Sequence, residues 1–476
     1  MFDMSNIPIQ IISTLFIIPL FISIYGAETY GAWISILSIV ALFLFFDLGF
    51  GVPFTNEIKN GANDDFISSI FYLILILSIF AAFIFLQTAN LVFGFFNLDI
   101  ANEIYMYISI YIFLEIILGI FSCILNGKGY VASVNKIKLY GEVIYIVFLT
   151  GLIFFDFNIS SFIYALIVKT IFNGLVLFYI SFLRLKLFSF TNNLISKSNF
   201  LSFLKDISKY QTHRISEVIY QSADNLIIQY YLGAGSVTIY NITSKIAVLF
   251  TRTIAPKFTS TLYLFINKTH KSTFQKNYTL LESKFLRLGF IFFSITLIIN
   301  EPIINYFYST NEFGGFSLTV VFSLWVLAEY FFINSYTHVI AFKKYNTLMF
   351  SSLFEMITNL LLSLFLINNY GLIGVAFSTL IAKVIFSYIF YYRVFHYINN
   401  WKWGINTLKL IIKNIIFTCI VLILSIILSK SLSNSIFTII AMLLTVTIFN
   451  LLIFDFKILI KKNLGLYEKF KLIILK

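Results

Sequence analysis

Charge is what this 476-residue chain has least of: Asp, Glu, Lys and Arg together make up 11% of it. A soluble domain carries about 25%, so the polar surface is too small to cover the molecule in water. Hydrophobic residues fill the space, at 59%, and the mean hydropathy is +0.92. The composition is that of an integral membrane protein. Cysteine is almost absent, and Cys123 and Cys419 both lie in apolar runs, which excludes a disulfide framework and leaves the redox compartment unread. The four histidines, His213, His270, His338 and His396, are scattered. No His/Cys/carboxylate cluster has metal-ligand spacing, no Gly-rich phosphate loop is present, and no tight acidic pair lies near an aqueous face. No Lys or Arg and no small-residue cleavage site accompany the first apolar run, which starts at Ile7. It is therefore expected to be retained as a helix.

What is present is long apolar runs. A spanning helix needs about 20 residues, and fourteen segments meet that scale: 7–25, 29–52, 66–95, 101–126, 136–155, 160–188, 207–232, 234–262, 280–308, 316–342, 346–368, 371–397, 406–429 and 434–460. They are called spans one to fourteen below. With the N-terminus inside, the seven outer loops hold a single basic residue, Lys430. The stretches Arg184–Lys209, Lys257–Arg287 and Lys457–Lys476 and the shorter inner loops hold most of the 33 Lys and Arg. Such a bias sets orientation and places both termini in the cytoplasm. It also accounts for the formal charge of +12 without nucleic acid, since inner-loop cations touch anionic headgroups. No loop is long enough for the catalytic surface a membrane glycosyltransferase or glycan polymerase needs, so an enzyme is not expected.

The chain also repeats itself. Tyr25-Gly26-Ala27 opens the turn into span two, and Leu232-Gly233-Ala234 opens the turn into span eight, at an offset of 207. Seven residues past each Gly stands an aromatic, Trp33 and Tyr240. Ala165-Leu166-Ile167-Val168-Lys169 in span six matches Thr379-Leu380-Ile381-Ala382-Lys383 in span twelve at an offset of 214, and Glu142 and Glu355 lie 213 apart. A lysine kept twice inside a membrane is informative because each costs ~3 kcal/mol to insert. A six-helix unit is duplicated with unchanged topology, which implies two lobes related by an axis along the membrane normal. The expected organisation is a first lobe at 1–188, a cytoplasmic linker at 189–206, a second lobe at 207–400, and two further helices with a basic tail at 401–476.

Tyr25-Gly26-Ala27-Glu28-Thr29-Tyr30-Gly31-Ala32-Trp33, followed by Phe46-Asp47-Leu48-Gly49-Phe50-Gly51, resembles the first hairpin of the polysaccharide-biosynthesis flippases. So do Asp224-Asn225-Leu226-Ile227-Ile228-Gln229-Tyr230-Tyr231-Leu232-Gly233 and Val237-Thr238-Ile239-Tyr240 with Lys245 following. These proteins belong to the multidrug/oligosaccharidyl-lipid/polysaccharide exporter superfamily. The resemblance implies an all-α, MATE-like fold and a flippase for undecaprenyl-diphosphate-linked oligosaccharide repeat units in the bacterial inner membrane, as in O-antigen or capsule assembly. Its partners would be that lipid-linked glycan, membrane lipids and polysaccharide assembly proteins, with no cofactor.

A diphosphate cargo calls for buried cations. Arg214, Lys245 and Arg252 in spans seven and eight, with the matched Lys169 and Lys383, are the candidates to line a cavity. Glu115, Glu142, Glu217, Asp224, Glu329 and Glu355 stand ready to pair with them, which would make several of the cations structural. Asp224 and Glu217 are candidates for ion coupling or charge pairing. A proton- or sodium-driven drug antiporter of the same superfamily is the nearest rival, and span one lacks the acidic residue such antiporters commonly use. A lipid-linked peptidoglycan-precursor flippase and a scaffold for other membrane enzymes stay open.

Overall fold

The computed structural model describes residues 6–397, apart from 48–49, 99–101, 156, 192–196, 260–273, 309 and 343. Spans thirteen and fourteen, Cys419 and the basic tail lie outside the described residues. Within them, every one of the twelve expected spans is helical and no strand occurs, as a bilayer without water to satisfy open backbone groups demands. Eight helices among the described residues are long and apolar enough to cross a membrane by length and composition. Spans one, seven and eight are shorter or more polar, and the polar faces of seven and eight belong to the site described below. The chain is a multi-pass, all-helical membrane protein.

The duplication is visible in the backbone. Spans one and two part at Gly26, with φ +87°, and spans seven and eight at Gly233, with φ +81°. Spans eleven and twelve form one long helical element, Tyr345–Tyr397, bent at Gly371, where φ is +55° and ψ −135°. Its counterpart in the first lobe is Asn158, also left-handed at φ +50° and related to Gly371 by the offset that relates Glu142 to Glu355. Two expected boundaries shift. Span two ends at Leu44, and Gly51–Lys59 forms a separate short helix, because a tight turn at Phe45–Asp47 breaks the apolar run. Span seven starts at Lys197, inside the expected linker, as one helix reaching Leu232.

Two hydrophobic cores form. One is drawn mainly from spans one to six around Phe21, Tyr30, Trp33 and Phe162, where Trp33 stacks on Phe162 at 4.8 Å. The other is drawn mainly from spans seven to twelve around Tyr240, Phe250, Phe322 and Tyr330, with Phe250 stacked on Phe292 at 4.2 Å. The lobes meet at the end that carries the two glycine turns. There Gly31 of span two lies so close to span eight that a Cβ on it would sit 1.8 Å from the Ala234 carbonyl oxygen. The Thr238 hydroxyl donates to the Ala27 carbonyl at 2.5 Å, and Ser35 donates to the Gln229 side chain at 2.9 Å. Asn225 donates to Ser38 at 2.9 Å, and the Gln229 amide donates to the Phe96 carbonyl at 3.2 Å. The repeated Gly-Ala turns thus grip one another across the lobe boundary.

Candidate functional site

Asp224 lies in span seven, two turns before Gly233, and is 7% exposed. Its carboxylate accepts hydrogen bonds from Tyr240 of span eight at 3.0 Å, Asn359 of span eleven at 3.1 Å and Thr379 of span twelve at 2.8 Å. Behind them, the Asn359 carbonyl oxygen faces the hydroxyls of Ser363, Ser378 and Thr379 at 3.2 to 3.3 Å, and Ser363 and Ser378 bond each other. The carbonyl of Val375 faces Ser378 and Thr379 at 2.7 and 3.1 Å. Acceptors outnumber protons in this cluster. Thr379 has one hydroxyl proton for three acceptors: Asp224, Asn359 and Val375. An anion surrounded by hard oxygens and neutral donors, with no ion pair among the described residues, suits a small monovalent cation or a proton.

This cluster opens onto a small cavity of about 40 Å³ whose wall also includes Gln221, Asn241, Arg252 and Trp325. Arg252 rises from a wide helical turn, Leu249–Ile254, of the kind that often marks functional positions, and its guanidinium lies 5.6 Å over the Trp325 ring. Lys245, two turns earlier in span eight, is half-buried with its ammonium 5.9 Å over the Tyr30 ring of the other lobe. Neither Lys245 nor Arg252 has a salt-bridge partner among the described residues. Next to this region is an apolar cleft of about 430 Å³ between Leu42, Phe95 and Phe96 of the first lobe and Ile227, Tyr230 and Leu364 of the second.

The other sequence candidates sit elsewhere. Lys169 pairs with Glu142 at 2.7 Å and lies 5.4 Å over Tyr145. Lys383 pairs with Glu329 at 2.9 Å. Arg214 and Glu217 pair with each other at 2.9 Å, one helical turn apart on span seven, both well exposed. The structure therefore brings Asp224 and Arg252 to one cavity, holds Lys245 at the lobe boundary, and ties Lys169, Lys383 and Arg214 to carboxylates within their own lobes.

Sequence reasoning missed Asn359, Ser363 and Ser378. The signal was a polar triplet at helical spacing, Glu355, Asn359 and Ser363, inside an otherwise apolar span. Thr379 was in view as the first residue of the repeated segment, but its first-lobe counterpart is Ala165, and that difference between copies was the clue. By the offset of the two glycine turns, Asp224 corresponds to Ile17, so the buried anion exists in one lobe.

Residues 24–288, more than half of the chain, match the profile of a family described as polysaccharide biosynthesis protein. No curated protein sequence matches. Among solved structures, the lipid II flippase MurJ in an inward closed conformation superposes with a TM-score of 0.73 at 18% identity, over 97% of this chain and 99% of that one. An inward-facing multidrug resistance MATE family transporter of the MOP superfamily gives 0.67 at 15% identity, over 83% and 97% of the two chains. A mutant of the Vibrio cholerae MATE transporter VcmN gives 0.62 at 12%, over 83% and 96%. At these identities the structural likeness establishes the fold. With the profile match, it shows that this chain belongs to the polysaccharide biosynthesis protein family and has the MOP transporter fold.

Proposed function

We propose that this protein flips undecaprenyl-diphosphate-linked oligosaccharide repeat units, of the O-antigen or capsule type, across the bacterial inner membrane by alternating access. The observation that carries the reading is the pair Lys245 and Arg252. Lys245 lies over the Tyr30 ring at the lobe boundary and Arg252 over Trp325 beside the Asp224 cavity, neither in a salt bridge among the described residues, while Lys169 and Lys383 are matched by carboxylates. A membrane-embedded cation outside any salt bridge is poised for an anion brought by the cargo. The apolar cleft beside it suits an isoprenoid chain, and Asn225, Asn241 and Gln221 offer amides for sugar hydroxyls. With the termini in the cytoplasm, the Gly26 and Gly233 end faces the periplasm, and the lobes are closed there. Lys169, Lys383 and Arg214 then act within the lobes rather than on cargo. Glu217 serves as the charge partner of Arg214, and Asp224 as the coupling site for a sodium ion that biases the lobes between their two states.

Deleting the gene in its host and following undecaprenyl-linked intermediates by mass spectrometry tests the cargo. Complete lipid-linked units should accumulate with loss of surface glycan, and wild-type protein should restore it while K245A and R252A, inserted at normal levels, do not. Accumulation of incomplete units would point to an enzyme. Unchanged glycan with raised sensitivity to small cationic compounds would point to an antiporter. If either alanine variant restores full surface glycan, that cation plays no part in holding the diphosphate.

A further inference from the structure

The duplicated lysines carry something that the cargo reading does not use. Glu115 and Glu329 are separated by the same offset as Lys169 and Lys383, and Glu142 and Glu355 by one position less. Each lobe therefore holds two glutamates and one lysine at equivalent places, one group from each of three consecutive spans. The lysine has chosen differently in the two copies. In the first lobe Lys169 binds Glu142 at 2.7 Å, and Glu115 is left to accept a hydrogen bond from the Thr170 hydroxyl at 2.6 Å. In the second lobe Lys383 binds Glu329 at 2.9 Å, and the carboxylate left over is Glu355. Glu355 is 9% exposed and has no hydrogen-bond or salt-bridge partner among the described residues.

The charged groups that act on Glu355 come from each neighbouring helix: Lys383 from span twelve, Glu329 from span ten and Glu217 from span seven, with Tyr220 of span seven facing it as well. Arg214 is tied to Glu217. Three carboxylates thus stand against two cations. His213 lies nearby as well, acted on by Glu217, Arg214 and Lys383 and hydrogen-bonded through its Nε2 to the Tyr336 hydroxyl at 3.3 Å. A metal ion is poorly served, because Glu355 has no hydroxyl or carbonyl partner among the described residues to complete a shell, and the lysine ammonium is close by. A proton needs neither.

We infer that the second lobe contains a one-proton site built from two glutamates and a lysine, and that Glu355, the carboxylate the lysine leaves free, carries the proton. Uptake turns the net −1 of that triad to zero, so the spans can shift in the bilayer without dragging an unpaired charge. This site is separate from the Asp224 cluster, and it stands whatever the cargo is, since its test requires no transport.

Full-length protein in lipid nanodiscs is treated with dicyclohexylcarbodiimide, which adds to protonated carboxyl groups in apolar surroundings, and the adducts are located by mass spectrometry. Labelling of Glu355 should rise severalfold as the pH is lowered, while the lysine-bound Glu329 stays unlabelled. In parallel, infrared difference spectra over the same range should show a protonated-carboxyl band that disappears in E355Q. K383M, which frees Glu329, should strengthen the band and make Glu329 reactive. Labelling at Glu329 in the wild-type protein, no labelling of Glu355 at any pH, or a band that survives E355Q overturns the inference. So does a band removed by H213Q and left intact by E355Q.

Discussion

Replacing Gly31 with alanine adds a single methyl group where the two lobes approach most closely. The new Cβ would lie 1.8 Å from the Ala234 carbonyl oxygen and 2.8 Å from the Thr238 hydroxyl, whereas ordinary contact begins at 3.4 Å. The obstructing atom is backbone, so rotating a side chain does not relieve the clash. Spans two and eight must instead move apart until the 1.8 Å approach opens toward 3.4 Å. That shift stretches the bond from Thr238 to Ala27 and the bond from Ser35 to Gln229 beyond hydrogen-bonding distance. Overpacking costs ~1–3 kcal/mol and each released bond a net ~1 kcal/mol. A total of about 3–5 kcal/mol against the closed end shifts the population roughly 150- to 5,000-fold toward the state in which the lobes part there. Spin labels at Asn158 and Ser236, one on each lobe near this end, report the change by pulsed electron resonance. The variant should gain a longer-distance population, while G119A, whose added methyl meets nothing within 4 Å, should match the parent. An unchanged distance distribution in G31A would refute the claim that this contact holds the lobes closed.

Two further outcomes follow from the same geometry. Sodium should raise the melting temperature of the detergent-solubilised protein relative to choline at equal ionic strength by mass action on the folded state, and D224N should abolish the increment; a sodium response that persists in D224N would move the coupling site elsewhere. G371A forces a side chain into a backbone region with φ +55° and ψ −135°, which should cost ~1–3 kcal/mol and lower the melting temperature, while G151A, open on all sides, should not.

The fold was legible because it rests on strong signals. Apolar runs of bilayer length, basic residues confined to alternate loops, and a lysine recurring at the same place in each half leave little freedom in how the twelve described spans are arranged. The site was legible in part. Asp224 stood out as a carboxylate in a spanning helix, and Arg252 and Lys245 as cations there. Pairing could not be read, because whether a buried lysine meets a carboxylate depends on which helices are neighbours. Lys169 and Lys383 look alike in sequence and take non-equivalent partners in space. Asn359, Ser363 and Ser378 escaped notice because small polar side chains in a membrane helix normally satisfy themselves on the preceding turn. Only packing shows that Asn359 reaches the Asp224 carboxylate and that Ser363 and Ser378 stand behind it. The helix break after Leu44 was hidden by an apolar run that continues through it.

The unequal pairing of equal triads makes a prediction that sequence symmetry alone would get wrong. If position in the repeat decided energetics, E115Q and E329Q would behave alike, and so would E142Q and E355Q. Pairing decides otherwise. E329Q removes the carboxylate that neutralises Lys383, whose side chain is 22% exposed, and leaves a largely buried ammonium with a weaker partner. Breaking such a pair costs ~3–5 kcal/mol when fully buried, and about 2–3 kcal/mol is the expectation at this partial exposure. E142Q removes the partner of Lys169, which at 25% exposure should cost a similar amount. E115Q keeps an acceptor for the Thr170 hydroxyl and loses only the charge on it, so it should cost less than ~1 kcal/mol. E355Q replaces a buried carboxyl group that no hydrogen bond or salt bridge holds among the described residues, so it should be neutral or stabilising. Thermal denaturation of the four variants in one lipid composition ranks them directly. Two costly substitutions drawn from different positions of the repeat would confirm that the lysines are bound as described. A ranking by repeat position, with E355Q as damaging as E142Q, would mean that Lys383 spends its time on Glu355 instead.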